Sequence, residues 1–182
     1  MPYLELLRNC FKIIHFKRSN RIFLGQSPFS HSRIPNMGVR FILCFNKQGV
    51  VRLVRWFAVK DNSTEPQEEI SQIYRLISSR DHKHQCNFFE FSDDTKLVYK
   101  RYAGLYFVMG IDISDEEPIY LSHIHIFVEV LDAFFGNVCE LDIVFNFYKV
   151  YMVMDEMFLG GEIQEVSKDV LLERLSFTDR LE

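Results

Sequence analysis

Three small groups of side chains in this chain of 182 residues have types and spacings that invite chemistry. His82, His84 and Cys86 alternate ahead of an apolar run that starts at Phe88. Alternate residues of an extended segment share one face, as zinc ligands must. No fourth ligand follows at a suitable distance, and a polar surface turn accounts for the three more simply. His123 and His125 fall in a helical stretch, where a two-residue offset turns them about 200° apart, too far to hold one ion. Glu129 follows His125 by four residues on the same helix face, the spacing of a surface hydrogen bond. A metal hydrolase built on His82, His84 or His125 is the enzymatic alternative. Asp155-Glu156 reads as a solvated pair rather than as two carboxylates sharing acid–base work. Gly160-Gly161 reads as a helix stop, because no G-x-x-x-x-G-K-[ST], G-x-G-x-x-G, G-x-S-x-G or H-E-x-x-H occurs anywhere. No catalytic residue, metal site or cofactor is expected from these groups.

The composition narrows the class. Hydrophobic residues make up 48% and aromatics 15%, with 18 Phe against eight Gly and five Pro. That load excludes disorder along the whole length and calls for a large core or a covered apolar surface. Four scattered cysteines (Cys10, Cys44, Cys86, Cys139) do not make a disulfide scaffold. No run of 18 apolar residues free of charge is present, so no membrane span is expected. The formal net charge of −4 divides unevenly, with +5 over residues 1–36 and −9 over the remainder. An acidic body argues against nucleic acid as a partner.

Residues 1–36 differ in character from the rest of the chain. They combine a short apolar stretch, Leu4 to Lys17, with a loop-like Ser27-Pro28 to Pro35-Asn36. Arg8 and Lys12 break any secretory signal, and a basic presequence is the remaining targeting alternative. The expectation is a basic N-terminal extension, disordered or outside the native product, with Met37 as a true start and a single domain over 37–182.

The body alternates between two periods. Val39–Asn46 and Val50–Val59 read as strands around Lys47-Gln48-Gly49, with Val51, Leu53 and Phe57 on one side and Arg52, Val54 and Trp56 on the other. Asp61-Asn62-Ser63-Thr64 precedes a helix from about Glu65 to Arg80, with Pro66 early and Ile70, Ile73, Tyr74 and Ile77 in register. Three more strands are expected over 87–91, 96–102 and 104–113. A helix starts at Ser114-Asp115-Glu116-Glu117-Pro118, is apolar nearly all round, and stops at Gly136-Asn137. Residues 140–158 alternate in places like a strand, yet run nineteen residues without Gly or Pro. A last helix spans Ser167–Leu181. The order ββαβββααα defines an α+β fold, an antiparallel sheet with helices packed on it.

Six stretches together carry a family resemblance: Arg40-Phe41-Ile42-Leu43, Arg52-Leu53 with Trp56-Phe57, Tyr99 to Phe107, Phe127-Val128-Glu129-Val130-Leu131, Asn137 to Asp142, and Phe145 to Tyr151. In this order and spacing the chain resembles the small (sigma) subunits of the clathrin adaptor complexes, from Met37 to Glu182. The resemblance implies a longin-like fold, a five-stranded antiparallel sheet flanked by helices, and a helix over 140–158. Ala103-Gly104, Phe147-Tyr148-Lys149-Val150-Tyr151 and Arg80-Asp81-x-Lys83-His84 look like the plasma-membrane type, adaptor protein complex 2. The Golgi and endosomal type tends to carry Ser after that Ala and Glu before that Lys.

The resemblance implies a non-enzymatic role in clathrin-mediated endocytosis. The partners it implies are a large alpha-type adaptin held directly, beta and mu subunits in a heterotetramer, cytosolic tails of membrane cargo, and clathrin indirectly. The place it implies is the cytosol and the cytoplasmic face of the plasma membrane, in coated pits. It also implies a site for acidic dileucine signals, [DE]-x-x-x-L-[LI], at Ala103, Leu105, Val128, Asn137, Val138 and Ile143, with Arg52 facing the upstream acid. Ala103 and Leu105, two apart, are expected on one strand face, and Asn137 is expected to bond the peptide backbone. Val50 departs from the pattern, because many members carry Lys directly after the turn glycine. The alternatives are the sigma subunit of the Golgi and endosomal complex and a free-standing longin-type trafficking regulator.

Overall fold

β1 (Val39–Asn46) is apolar at almost every position, and its alternation explains why. Phe41, Leu43 and Phe45 enter one core, whereas Ile42 and Cys44 enter another. A strand buried on both faces has no polar side to show. β5 (Leu105–Asp112) behaves alike, with Tyr106 and Val108 on the first face and Phe107, Met109 and Ile111 on the second. In this computed structural model, which describes residues 38–58, 65–81 and 84–180, these two strands lie side by side at the centre of the sheet. The readings for residues 1–36, Met37, Asp61-Asn62-Ser63-Thr64 and His82 lie outside the described residues.

The other strands are β2 (Val51–Trp56), β3 (Phe88–Ser92) and β4 (Thr95–Tyr102), and the sheet order is β2-β1-β5-β4-β3 with every pair antiparallel. Gly110 lies in β5 opposite Phe41, and a Cβ there would stand 2.2 Å from the Phe41 ring. Helix α1 (Pro66–Ser78) covers one face with Ile70, Ile73 and Ile77. The other face carries α2 (Glu117–Phe135), α3 (Glu140–Phe145), α4 (Phe147–Met157) and α5 (Lys168–Asp179). The fold is the expected α+β, longin-like arrangement, a five-stranded antiparallel sheet flanked by five helices among the described residues.

Three local readings are corrected. Residues 140–158 do not form one helix: Asn146, at φ −111° and ψ 37°, breaks the run between α3 and α4. On both sides of the break the core-facing positions keep helical spacing, with Ile143 and then Val150, Val153, Met154 and Met157 buried. Gly160-Gly161 does more than stop a helix. It turns a two-residue hairpin, β6 (Phe158–Leu159) against β7 (Glu162–Ile163), with φ 62° and 97° that suit only glycine well. Val51 packs with the α1-side core rather than with Leu53. The register passes from Cys44↔Leu53 to Phe45↔Val51, so Arg52 is the extra residue of a β-bulge.

By length and composition α2 is the one helix among the described residues apolar enough to cross a membrane. It packs instead on the sheet through Ile124, Phe127, Val130 and Leu131. The side away from the sheet, with Ile119, Ser122, His125 and Glu129, is exposed within the chain.

Candidate ligand-binding site at one end of the sheet

The antiparallel topology gathers the predicted site residues. β1 ends, β2 begins, β4 ends and β5 begins at the same end of the sheet, with Asn46 and Tyr102 both paired to Leu105. Tyr102 hydroxyl lies 2.9 Å from His125 Nδ1, which fixes the middle of α2 over this end. Val128 comes one turn later and packs half-buried against the core that contains Leu105 and Ile143. Gly136 ends α2 in the left-handed conformation, and Asn137-Val138 forms the exit loop. The Val138 N–H donates to Asp132 Oδ1 at 3.1 Å, and Val138 is half-buried against the same core. So Leu105, Val128, Val138 and Ile143 belong to one apolar cluster.

Ala103 is placed differently from the expectation. It does not share a strand face with Leu105. It sits exposed in the two-residue turn between Tyr102 and Leu105, at φ 51°. A turn this tight needs a positive φ, and here a residue with a Cβ supplies it. Asn137, at φ 73°, is the other non-glycine residue in that region among the described residues. Both are predicted site residues. Strained backbone of this kind costs of order 1–3 kcal/mol per residue and collects at ligand sites.

Arg52, the extra residue of the bulge, reaches the first turn of the helix that carries Ile143. Its Nε donates to Glu140 Oε1 at 2.8 Å, and its Nη2 lies 2.6 Å from the same oxygen. Asn46 Nδ2 adds a third donor at 3.1 Å. Asn46 is itself held by the hairpin, since its Oδ1 accepts from the Gln48 and Val50 N–H groups at 3.0 Å each. Glu140 and Asn46 were not singled out from the sequence. Glu140 stood inside a quoted motif, but only the topology reveals that α3 begins beside the β1–β2 turn. Val50 is exposed and carries no charge to this edge.

The groups with other chemical potential lie apart. His84 Nδ1 contacts Asp81 Oδ2 at 2.7 Å, and Cys86 is exposed. His125 Nε2 stands 3.8 Å from Glu129, longer than a hydrogen bond. Asp155 pairs with Arg55 at 2.8 Å rather than standing solvated alone. No group of three or more His, Cys, Asp or Glu positioned for a metal occurs among the described residues. An open cavity of about 540 Å³ lies on α5, lined by Glu156, Glu173, Arg174, Ser176 and Phe177, and includes none of the predicted site residues.

A small antiparallel sheet lies between one helix and four, with the Arg52–Glu140 pair at one end. Residues 38–182 match the model of the clathrin adaptor complex small chain, and the chain belongs to that family. It is 78% identical over 149 residues to the AP-2 complex subunit sigma of Saccharomyces cerevisiae, covering 80% of this chain and all of that one. The AP-2 complex subunit sigma of Aspergillus fumigatus is 53% identical over 146 residues, covering 80% of this chain and all of that one. The human AP-1 complex subunit sigma-3 is 43% identical over 144 residues, covering 79% of this chain and 92% of that one. Among structures, a chain of the full-length AP-3 complex, a homology model in a stretched open conformation, superposes with a TM-score of 0.61 at 29% identity. That match covers 79% of this chain and 94% of the other. The protein is a small subunit of a clathrin adaptor complex, a component of vesicle trafficking.

Proposed function

We propose that this subunit serves, without catalytic activity, in the plasma-membrane adaptor, held directly by an alpha-type large adaptin with beta and mu subunits, and that it binds acidic dileucine signals in cytosolic tails of membrane cargo. Its place of work is then the cytoplasmic face of the plasma membrane, in coated pits. The domain is residues 37–182, with 1–36 as an extension. The identity to AP-2 sigma chains supports the complex assigned.

The observation that supports the cargo reading is that Leu105, Val128, Val138 and Ile143 belong to one apolar core, with the Arg52–Glu140 pair at the start of the helix that carries Ile143. Two leucines buried there would contribute about 1.5–3 kcal/mol each. Ala103 and Asn137, at positive φ, stand two residues before Leu105 and one before Val138, and in this reading offer backbone and amide groups to the peptide. An edge charge pair adds about 0–1 kcal/mol. Affinity is therefore modest, as reversible sorting requires.

The test is titration of a labelled tail peptide with an upstream Glu and Leu-Leu into the assembled adaptor complex. Changing Leu-Leu to Ala-Ala in the peptide, which truncates both buried side chains, or Val138→Asp in this subunit, which puts a carboxylate against them, should weaken binding at least about tenfold. Undiminished binding in both cases would refute the assignment.

The exposed apolar side chains of the last helices support a large partner. Leu141 and Phe145 on α3 and Tyr148 on α4 are 60%, 73% and 47% exposed. Large apolar side chains left exposed so close together in the chain support an interface there.

A further inference from the structure

Arg52 is engaged from within the chain. The proposed ligand's acid and Glu140 would compete for the same guanidinium edge. Three donors from two strands, Arg52 Nε, Arg52 Nη2 and Asn46 Nδ2, converge on the single oxygen Glu140 Oε1. The arrangement is built rather than incidental. A bulge aims Arg52, the hairpin backbone orients Asn46, and Glu140 is fixed at the first turn of α3, where the Cys139 N–H donates to Asp142 Oδ2 at 2.8 Å. The side chains of Arg52 and Glu140 are 16% and 35% exposed, so the pair lies at the rim, where a ligand carboxylate can approach.

We propose that Glu140 is an internal occupant of the acid-recognition position: a cargo tail's upstream carboxylate must displace Glu140 from Arg52, and Glu140 thereby sets how strongly this subunit discriminates acidic from neutral tails. The proposal rests on the dileucine reading above. Exchange of one carboxylate for another gains little, because a charge-assisted pair is lost for each one formed. The upstream acid is then a weak determinant in the wild-type protein, and the leucines carry the affinity. Removing the internal competitor restores the acid's contribution. The absence of a charge at Val50 acts in the same direction, since no second cation is supplied there to hold an incoming acid while Glu140 stays in place.

The test uses the assembled adaptor complex with the full chain and two tail peptides that differ only in Glu or Gln upstream of Leu-Leu. The ratio of the two dissociation constants should lie within about threefold of one for the wild type. With Glu140→Gln it should rise by about 3- to 10-fold through tighter binding of the Glu peptide, while the Gln peptide is unchanged. Glu140→Asp, whose shortened carboxylate withdraws from Arg52, serves if the first variant does not assemble, and should move the ratio the same way. A ratio unchanged by either assembled variant, with both peptides still bound, would overturn the competition alone. No binding of either peptide to the wild type would overturn the dileucine reading and the competition with it.

Discussion

His123 Nδ1 is buried without a hydrogen-bond partner, between the rings of Tyr120 and Phe158. Burial pushes its pKa below the ordinary value. The unfolded chain takes up a proton near pH 6.5 that the folded site resists. Stability is therefore full above that pH and falls as the pH drops through it. His123→Phe should flatten the decline below about pH 6.5, read as unfolding midpoints of the purified chain; an unchanged slope would contradict the assignment. Arg40 makes a second, more acid-sensitive knot. Its Nη1 and Nη2 lie 2.6 Å from Asp94 and Asp112, tying β1 to the β3–β4 turn and to the end of β5. Arg40 holds the Asp94 carboxyl well below its usual range, and the Ser114 N–H and hydroxyl, with Arg40, lower that of Asp112. Depressed carboxylates add stability above about pH 4 that is lost as the pH falls through their folded values. Arg40→Met, which leaves both acids without their shared cation, should cost about 1–3 kcal/mol near neutral pH and remove part of the acid dependence. A neutral effect in denaturant unfolding would show that the network does not stabilise the chain.

Single elements position the site, and a short turn can be tested without touching the core. Gly136 ends α2 at φ 66°, with open space around the place of a Cβ. Gly136→Ala therefore meets only the backbone penalty, about 1 kcal/mol. Because Asn137 and Val138 come directly after it, tail-peptide binding by the complex should weaken about 3- to 10-fold while assembly persists; full-strength binding would separate the exit loop from the site. Val50→Lys, at an exposed position, should raise preference for an upstream acid by a few-fold, read with the same Glu and Gln peptides. The element order was legible because period-2 and period-3.6 runs are separated by strong punctuation such as Gly49, Pro66, Pro118 and Gly136. The break at Asn146 was not, because no residue type there forbids a helix and the apolar spacing from Ile143 to Met157 is that of a continuous one. The bulge at Arg52 and the Glu140 contact were hidden for the same reason: register between strands and the meeting of α3 with the hairpin are long-range outcomes that spacing does not encode. Residue types and order drew Leu105, Val128, Val138 and Ile143 together through the family resemblance, and packing explains why they form one cluster. Ala103 was misplaced because two-residue spacing was read as strand rather than as turn.

At the scale of the molecule, the acidic domain has a well-filled sheet and an incompletely covered helical side. Ile119 on α2, Leu141 and Phe145 on α3, Tyr148 on α4 and Phe177 on α5 are exposed within the chain. A subunit of a larger complex has a reason for this, because the partner completes the core. Phe145→Asp should leave the fold's circular dichroism unchanged, since the side chain is 73% exposed, yet weaken capture by the large adaptin at least about tenfold, the scale of an interface anchor. Normal capture would place the interface elsewhere. The most direct measurement for the whole account is co-expression of the full chain with an alpha-type and, separately, a gamma-type large adaptin, read by co-elution in size-exclusion chromatography. Selective co-elution with the alpha-type subunit is the predicted result. Selective pairing with the gamma-type subunit, or with neither, would contradict the assignment to the plasma-membrane adaptor.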